Sequence, residues 1–249
     1  MENGVSMHKF LTHKRLEDLY NPVPNPIGRE KSDYVPQHLK YLYQDVSKGR
    51  KLERYNLFNV GQVIELLMGG TYRCHYTRKR WRLNLLKPDE SHNQKTFDNP
   101  FHELFLWAVL MKRQDMATFM WQKGEEALAK SLVAVKLCKR MAQEAEDDDM
   151  NQEEILELRN FSENFKAKAL EIVKLGYKES EKMTNQLLTY ELKSWSRHTC
   201  LSLAILAQHR DFIAHPCVQN ILSDLMMGGL DVRRHANIKS RAFHFFFWR

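Results

Sequence analysis

Eight consecutive apolar residues, 104–111, constrain this chain more than any other feature. A helix that is apolar all round is buried on every side, inside a larger body or a membrane. Eight residues are far too few to cross a bilayer, which takes about 20. The run is therefore the core helix of a water-soluble body. Lys112, Arg113, Gln114 and Asp115 break it, and apolar residues resume at Met116, Ala117, Phe119, Met120 and Trp121. Gly124 suits a helix C-terminus, and Glu125 and Glu126 suit the first turn of the next helix. Leu128, Leu132, Val135, Cys138 and Ala142 then recur at helical spacing. Residues 100–145 read as helix, polar turn, helix, glycine, helix. Leu104, Trp107, Leu110, Met116, Phe119, Trp121, Leu132 and Val135 are the expected core.

The rest of the chain supports an all-α fold of stacked helical hairpins, a solenoid-type array without a sheet of note. Only 10 Gly and 7 Pro occur in 249 residues, and Val, Ile and Thr rarely alternate with polar residues. Hydrophobic content of 43% supplies a core. Four cysteines in so long a chain are no disulfide framework and read as buried, reduced thiols. The first ten residues lack the apolar core of a secretory signal, and no stretch reaches transmembrane length. The polypeptide by itself is expected to be soluble.

From the N-terminus, Thr12 is placed to cap a short helix carrying Leu16, Leu19 and Tyr20. Pro22, Pro24, Pro26 and Gly28 make 21–33 a breaker segment. A helix is expected over 37–46, ending near Gly49. Another, capped by Asn59, carries Val63, Ile64, Leu66, Leu67 and Met68 and stops at Gly69-Gly70. The acid run 144–149 reads as a solvated loop, because negative charge is unfavourable at a helix C-terminus. A long helix follows, with Ile155, Leu158, Phe165, Ala169 and Ile172 on one stripe that only Ser162 interrupts, and Gly176 ends it. A helix is expected over 179–195 and another over 198–208. A turn at 209–211 follows, then a last helix from Pro216 to Met227, closed by Gly228-Gly229. Ala108, Val109, Leu110 and Asp115 are echoed in spacing by Ala204, Ile205, Leu206 and Asp211, which fits stacked hairpins.

No catalytic constellation emerges. His198, Cys200, His209, His215 and Cys217 lack the spacing of paired zinc ligands, and buried thiols with turn histidines account for them. His215-Pro216-Cys217 lacks the second cysteine and the upstream acid of a zinc deaminase. The glycine pairs follow helices instead of preceding them, so they are stops and not phosphate cradles. Capping explains Glu125-Glu126 and Glu153-Glu154. The chain is expected to be no enzyme and to need no cofactor or metal.

The net charge of +7 concentrates in 71–82, where Arg73, Arg78, Lys79, Arg80 and Arg82 alternate with Tyr72, Tyr76 and Trp81. Phosphate contact with aromatic stacking is one use of such a stretch. Contact with an anionic lipid headgroup or an acidic protein surface is another. A solvated basic face whose aromatics tuck into the stack is the plainest. Arg78, Lys79, Arg80 and Arg82 are the candidate interaction residues, with no nucleic acid expected.

Residues 102–142, HELFLWAVLMKRQDMATFMWQKGEEALAKSLVAVKLCKRMA, resemble the cytosolic homology region of melastatin-type transient receptor potential (TRP) cation channels. ENGVSMHKFLTHKRLEDLYN, NVGQVIELLMGGTYRCHYTRKRWR, LLTYELKSWSRHTCLSLAILAQHRDFIAH and ILSDLMMGGL agree, in family order and over most of the chain. The branch containing melastatin itself and the channel-kinases is the most similar. The resemblance implies ankyrin-like helical hairpins that pack between channel subunits, beneath a tetrameric calcium- and magnesium-permeable pore, and couple cytosolic signals to it. It divides the chain into a helical segment 1–99, a helical-repeat segment 100–239 and an atypical tail 240–249. The chain starts where family members are mid-domain, has a short linker before Pro100, and stops ahead of the family's first membrane helices. It is expected to be a fragment: a cytosolic regulatory and assembly part of a plasma-membrane channel, partnered by other subunits. The alternative is a soluble helical-repeat adaptor that binds channel subunits or acidic surfaces. No pore, voltage-sensor or calcium-ligand residue carries over.

Overall fold

The computed structural model describes residues 11–21, 35–49, 53–70, 72–78 and 96–231. The proline-rich segment 22–34, Lys79 to Arg82, most of the linker before Pro100 and the tail 240–249 lie outside them. Among the described residues there are eleven α-helices and no strand, only two isolated bridges, Thr12 with Thr96 and Leu192 with His198. The helices are α1 (His13–Tyr20), α2 (Gln37–Val46), α3 (Leu57–Met68), α4 (Pro100–Leu110), α5 (Gln114–Lys123), α6 (Ala127–Asp147), α7 (Gln152–Glu179), α8 (Glu181–Thr189), α9 (Cys200–Leu206), α10 (Arg210–Ile213) and α11 (Pro216–Asp231). The all-α stack expected from the sequence is what forms. None of the described helices is long and apolar enough to cross a membrane.

The central layer is the antiparallel pair α6–α7, with α4–α5 packed on it as a second hairpin. Every residue from Leu104 to Met111 is buried, as an apolar helix demands. Asn99 caps α4 by accepting from His102 N (3.3 Å), and Pro100 occupies its first turn, where its missing N–H costs nothing. Trp107 Nε1 donates to the carbonyl of Leu19 (3.0 Å), which ties α1 to α4. Leu132 and Val135 of α6 are buried, as is the stripe Ile155, Leu158, Phe165 and Ala169 of α7. Ser162 stays buried in that stripe, its Oγ facing the carbonyl of Val135.

Met116 and Phe119, expected in the core, are 39% and 48% exposed. α5 buries only Ala117 and Met120; Met116 and Phe119 fall on its outer shoulder, with Lys123 Nζ 6.0 Å above the Phe119 ring. Trp121 is half-buried and donates to Ala127 O (2.8 Å). Glu125 and Glu126 precede α6 instead of opening it, with Glu126 left-handed at φ 56°.

Several element ends move from where the sequence put them. Asn56, not Asn59, caps α3, and Asn59 reciprocates as the third residue of a capping box. The acid run is not a loop throughout, since α6 continues to Asp147. Glu144 pairs with Arg140 one turn back (2.5 Å) and Glu146 pairs with Arg159 of α7, which offsets the unfavourable helix dipole. Gly176 lies inside α7. A Cβ there would meet Thr184 Oγ1 at 3.0 Å, so the glycine admits α8 against α7. Ser180 ends α7 and caps α8 through Met183 N. The helix expected over 179–195 stops at Thr189 and gives way to a tight turn, and the helix over 198–208 shortens to α9. The turn expected at 209–211 opens α10, with His209 as its cap, and α11 runs through Gly228-Gly229.

The echo between the two halves is structural. Lys112 and Gln208 are both left-handed, at φ 57° and 50°. Arg113 N donates to Ala108 O (2.8 Å) and His209 N to Ala204 O (3.1 Å), the same six-residue closure at each helix end. Lys48–Gly49 and Asp149–Met150 close α2 and α6 in the same way.

Candidate functional site

The basic stretch enters the structure as residues 72–78. Gly61 of α3 makes room for it: a Cβ there would stand 2.9 Å from Tyr76 Cβ and 3.0 Å from Thr77 Cγ2. Glu65, one turn further along α3, organises its backbone. The carboxylate accepts from Cys74 N (2.8 Å) and Thr77 Oγ1 (2.5 Å) and lies 3.9 Å from the Arg73 guanidinium. On the other side, Ser196 accepts from Arg73 N (3.0 Å) and donates to Arg73 O (2.5 Å). Ser196 and Arg197 are both left-handed, which turns the 192–198 loop back against this segment.

Alternation decides what faces out. Tyr72, Cys74 and Tyr76 are buried, while the side chains of Arg73 and Arg78 reach solvent. The aromatics thus tuck into the stack, and of the four candidate interaction residues Arg78 is exposed at the end of the described segment. Lys79, Arg80 and Arg82 lie outside the described residues.

The segment is anchored below by a buried acid that sequence reasoning passed over. Tyr76 OH donates to Glu103 Oε2, and His75 Nε2 lies 3.4 Å from Glu103 Oε1. Burial pushes the Glu103 carboxyl up to about 8, against the lowering effect of the Tyr76 bond. Burial, with help from Arg78 and His13, brings His75 down to about 4. At neutral pH a protonated carboxyl therefore faces a neutral imidazole, and its O–H can donate to Nε2. The only sequence signal was an acid in the first turn of an otherwise apolar helix.

A second buried polar group sits at the α4–α6 junction. Lys130 is fully buried over the Phe105 ring (5.8 Å), its Nζ has no hydrogen-bond partner among the described residues, and burial brings it down to about 8. His102, pushed down to about 3 by burial, packs on Trp195 with ring centroids 4.3 Å apart. Cys200, beyond Trp195, is a buried thiol raised to about 12 by burial. Cys217 donates to Asn185 Oδ1 (3.2 Å), His209 caps α10, and His215 stands edge-on to Tyr177. Among the described residues no three His, Cys, Asp or Glu side chains gather as a metal would require.

These features define an all-α helical scaffold domain with Arg73 and Arg78 at its surface. The chain belongs to the TRPM2-like domain family, whose profile matches residues 1–215. It is 41% identical over 279 residues to transient receptor potential cation channel subfamily M member 1 of Mus musculus, which covers 96% of this chain and 17% of that protein. Identity to the Drosophila melanogaster channel trpm is 42% over 272 residues, 96% of this chain and 13% of the relative. For subfamily M member 7 of Homo sapiens it is 38% over 307 residues, 95% of this chain and 16% of the relative. The chain therefore corresponds to the melastatin N-terminal region and spans about one-sixth or less of these curated relatives.

Proposed function

We propose that this chain is a cytosolic regulatory and assembly part of a melastatin-type TRP cation channel. Its partners are other channel subunits, and its segments 1–99 and 100–239 are successive parts of one stack. The observation that carries the reading is the near-complete match of the chain to proteins named as cation channels. The apolar residues Met183 and Leu187 on α8, Tyr190 just after it, and Leu225 and Met226 on α11 support it, because they are exposed on or beside helices that touch each other. Rigid packing along α6–α7 would carry a displacement at one end of the stack to the other.

The test is co-expression of the tagged chain with a full-length subfamily M channel. Co-purification with the channel, together with a changed whole-cell cation current, is the expected result. A chain that neither co-purifies nor alters the current refutes the reading. The exposure of Arg73 and Arg78 favours a second reading, a soluble adaptor whose Arg78, Lys79, Arg80 and Arg82 meet an acidic protein surface or an anionic lipid. Salt-sensitive binding of the isolated chain to phosphatidylserine vesicles, lost when the four residues become Gln, would favour the adaptor.

A further inference from the structure

The 192–198 loop and the start of α6 meet over a group of buried polar atoms whose bonding is incomplete. Lys130 Nζ, Trp195 Nε1, His102 Nδ1 and Glu126 Oε2 are all shielded from solvent, and none has a hydrogen-bond partner among the described residues. Lys130 and Trp195 are wholly buried, and His102 is 3% exposed. The four stand together. The His102 and Trp195 rings pack on each other. Burial raises the Glu126 carboxyl, and the Trp195 indole, the Lys130 ammonium and the Ser194 hydroxyl each act against it. Buried polar atoms in a native fold are nearly always satisfied, by protein or by ordered water.

The local backbone explains why no direct pair closes. Glu and Lys four residues apart on one helix normally meet. Glu126, however, precedes α6 in a left-handed conformation at φ 56°, which takes its carboxylate out of the helical register that would reach Lys130. The adjoining carbonyls are engaged. Ala127 O accepts from Trp121 Nε1 (2.8 Å) and Ser131 Oγ (2.9 Å), and Met120 O accepts from Gly124 N (3.1 Å). Gly124 admits the ammonium, since a Cβ there would stand 2.0 Å from Lys130 Nζ.

The balance of donors and acceptors selects the ligand. Lys130 and Trp195 can only donate, a Glu126 carboxylate can only accept, and an imidazole nitrogen can do either. An anion would meet the two donors but also the Glu126 carboxylate. A metal cation would meet the Lys130 ammonium, and an apolar group would leave every one of these atoms unmatched. Water both donates and accepts, so it alone suits the whole set. We propose that this junction is an internal hydration site, where ordered water bridges the Lys130 ammonium, the Glu126 carboxylate and the Trp195 indole N–H and so fixes the 192–198 loop on α4 and α6.

The basic segment depends on that loop. Leu192 N donates to His198 O (2.9 Å), which closes the loop into one unit. Ser196, next to Trp195, makes both bonds to the Arg73 backbone. Water held at Trp195 therefore steadies 72–78 from the side opposite Glu65. The site belongs to the fold of this chain and stands whatever larger protein the chain serves.

A crystal structure of the intact chain, at a resolution that places waters, tests the site directly. A water bonded to Lys130 Nζ and also to Glu126 or Trp195 Nε1 is expected. A direct Lys130–Glu126 bond, a bound ion or the lack of any ordered molecule overturns the proposal. Lys130→Met, which keeps the length of the side chain and removes its donors, tests what the water holds. Amide exchange in 192–198 and 72–78, read as a ratio to the centre of α7 so that a global loss of stability cancels, should rise about tenfold. An unchanged ratio refutes the anchoring role of the site.

Discussion

Replacing Glu103 by Gln should be nearly neutral for stability at low pH and stabilising at high pH. In the fold the Glu103 carboxyl is raised to about 8, chiefly by burial, from an ordinary value of 4.5. The folded state thus holds this proton more tightly than the unfolded chain does. Stability from this group is fully present below 4.5 and is lost progressively as pH rises to about 8. At about 1.4 kcal/mol per pH unit, the whole interval is worth about 5 kcal/mol, of which about 2 kcal/mol falls above pH 6.5. Gln copies the protonated acid: its oxygen can accept from Tyr76 and its amide can donate to His75 Nε2. The variant should match wild type within about 1 kcal/mol at pH 5 and exceed it by about 3 kcal/mol or more at pH 9. Urea unfolding of both chains, read from about pH 6.5 upward, is the cleanest assay. There His75 and His102, lowered to about 4 and about 3, are neutral in the fold, and the slope from protonating them in the unfolded chain is common to both variants and cancels in the comparison. Parallel stability curves for the two chains over that range would refute the buried, protonated carboxyl.

Further substitutions probe the fold. Trp107→Ala should cost about 3–5 kcal/mol and Trp107→Phe about 1–2 kcal/mol, the latter for the unmatched Leu19 carbonyl; a thermal shift near zero for Trp107→Ala removes the core assignment. Gly124→Ala places a Cβ onto Lys130 Nζ and 3.0 Å from Met120 O and Phe101 Cβ. It should cost about 1–3 kcal/mol, and a double-mutant cycle with Lys130→Leu should recover part of that. Ser196→Ala removes both bonds to Arg73, so amide exchange should rise in 72–78 while global stability changes by about 1 kcal/mol or less. Phe119→Ala, on the outer face of α5, should cost under about 1 kcal/mol in thermal unfolding.

Much of the candidate site was legible in part. The alternation of Tyr72, Tyr76 and the arginines announced buried aromatics beneath a basic edge, because a segment lying on a helix surface must turn alternate side chains inward. What fixes that edge was not legible. Glu65, Ser196 and Glu103 are far apart in sequence, and only the crossing of α3, the 192–198 loop and α4 brings them to one segment. His38, buried at the start of α2, gave no signal at all, since nothing local distinguishes it from a solvated imidazole at the start of an amphipathic helix.

The chain by itself determined the all-α class, the buried 104–111 helix, the cap at Thr12 and the repeat of the 108–115 pattern. These follow from local preferences and from a periodicity that any helical packing would satisfy. The tertiary structure decided where helices stop and which shoulder of each is covered. Lys48, Lys112, Asp149 and Gln208 terminate helices in left-handed conformations without glycine, whereas Gly176 and Gly228-Gly229 pass through helices uninterrupted. A left-handed residue costs about 1–2 kcal/mol when it has a Cβ, and packing of the next helix offsets that cost. The same packing leaves Phe119 in solvent and buries Lys130, so burial here answers to the neighbouring helix and not to the residue's own hydropathy.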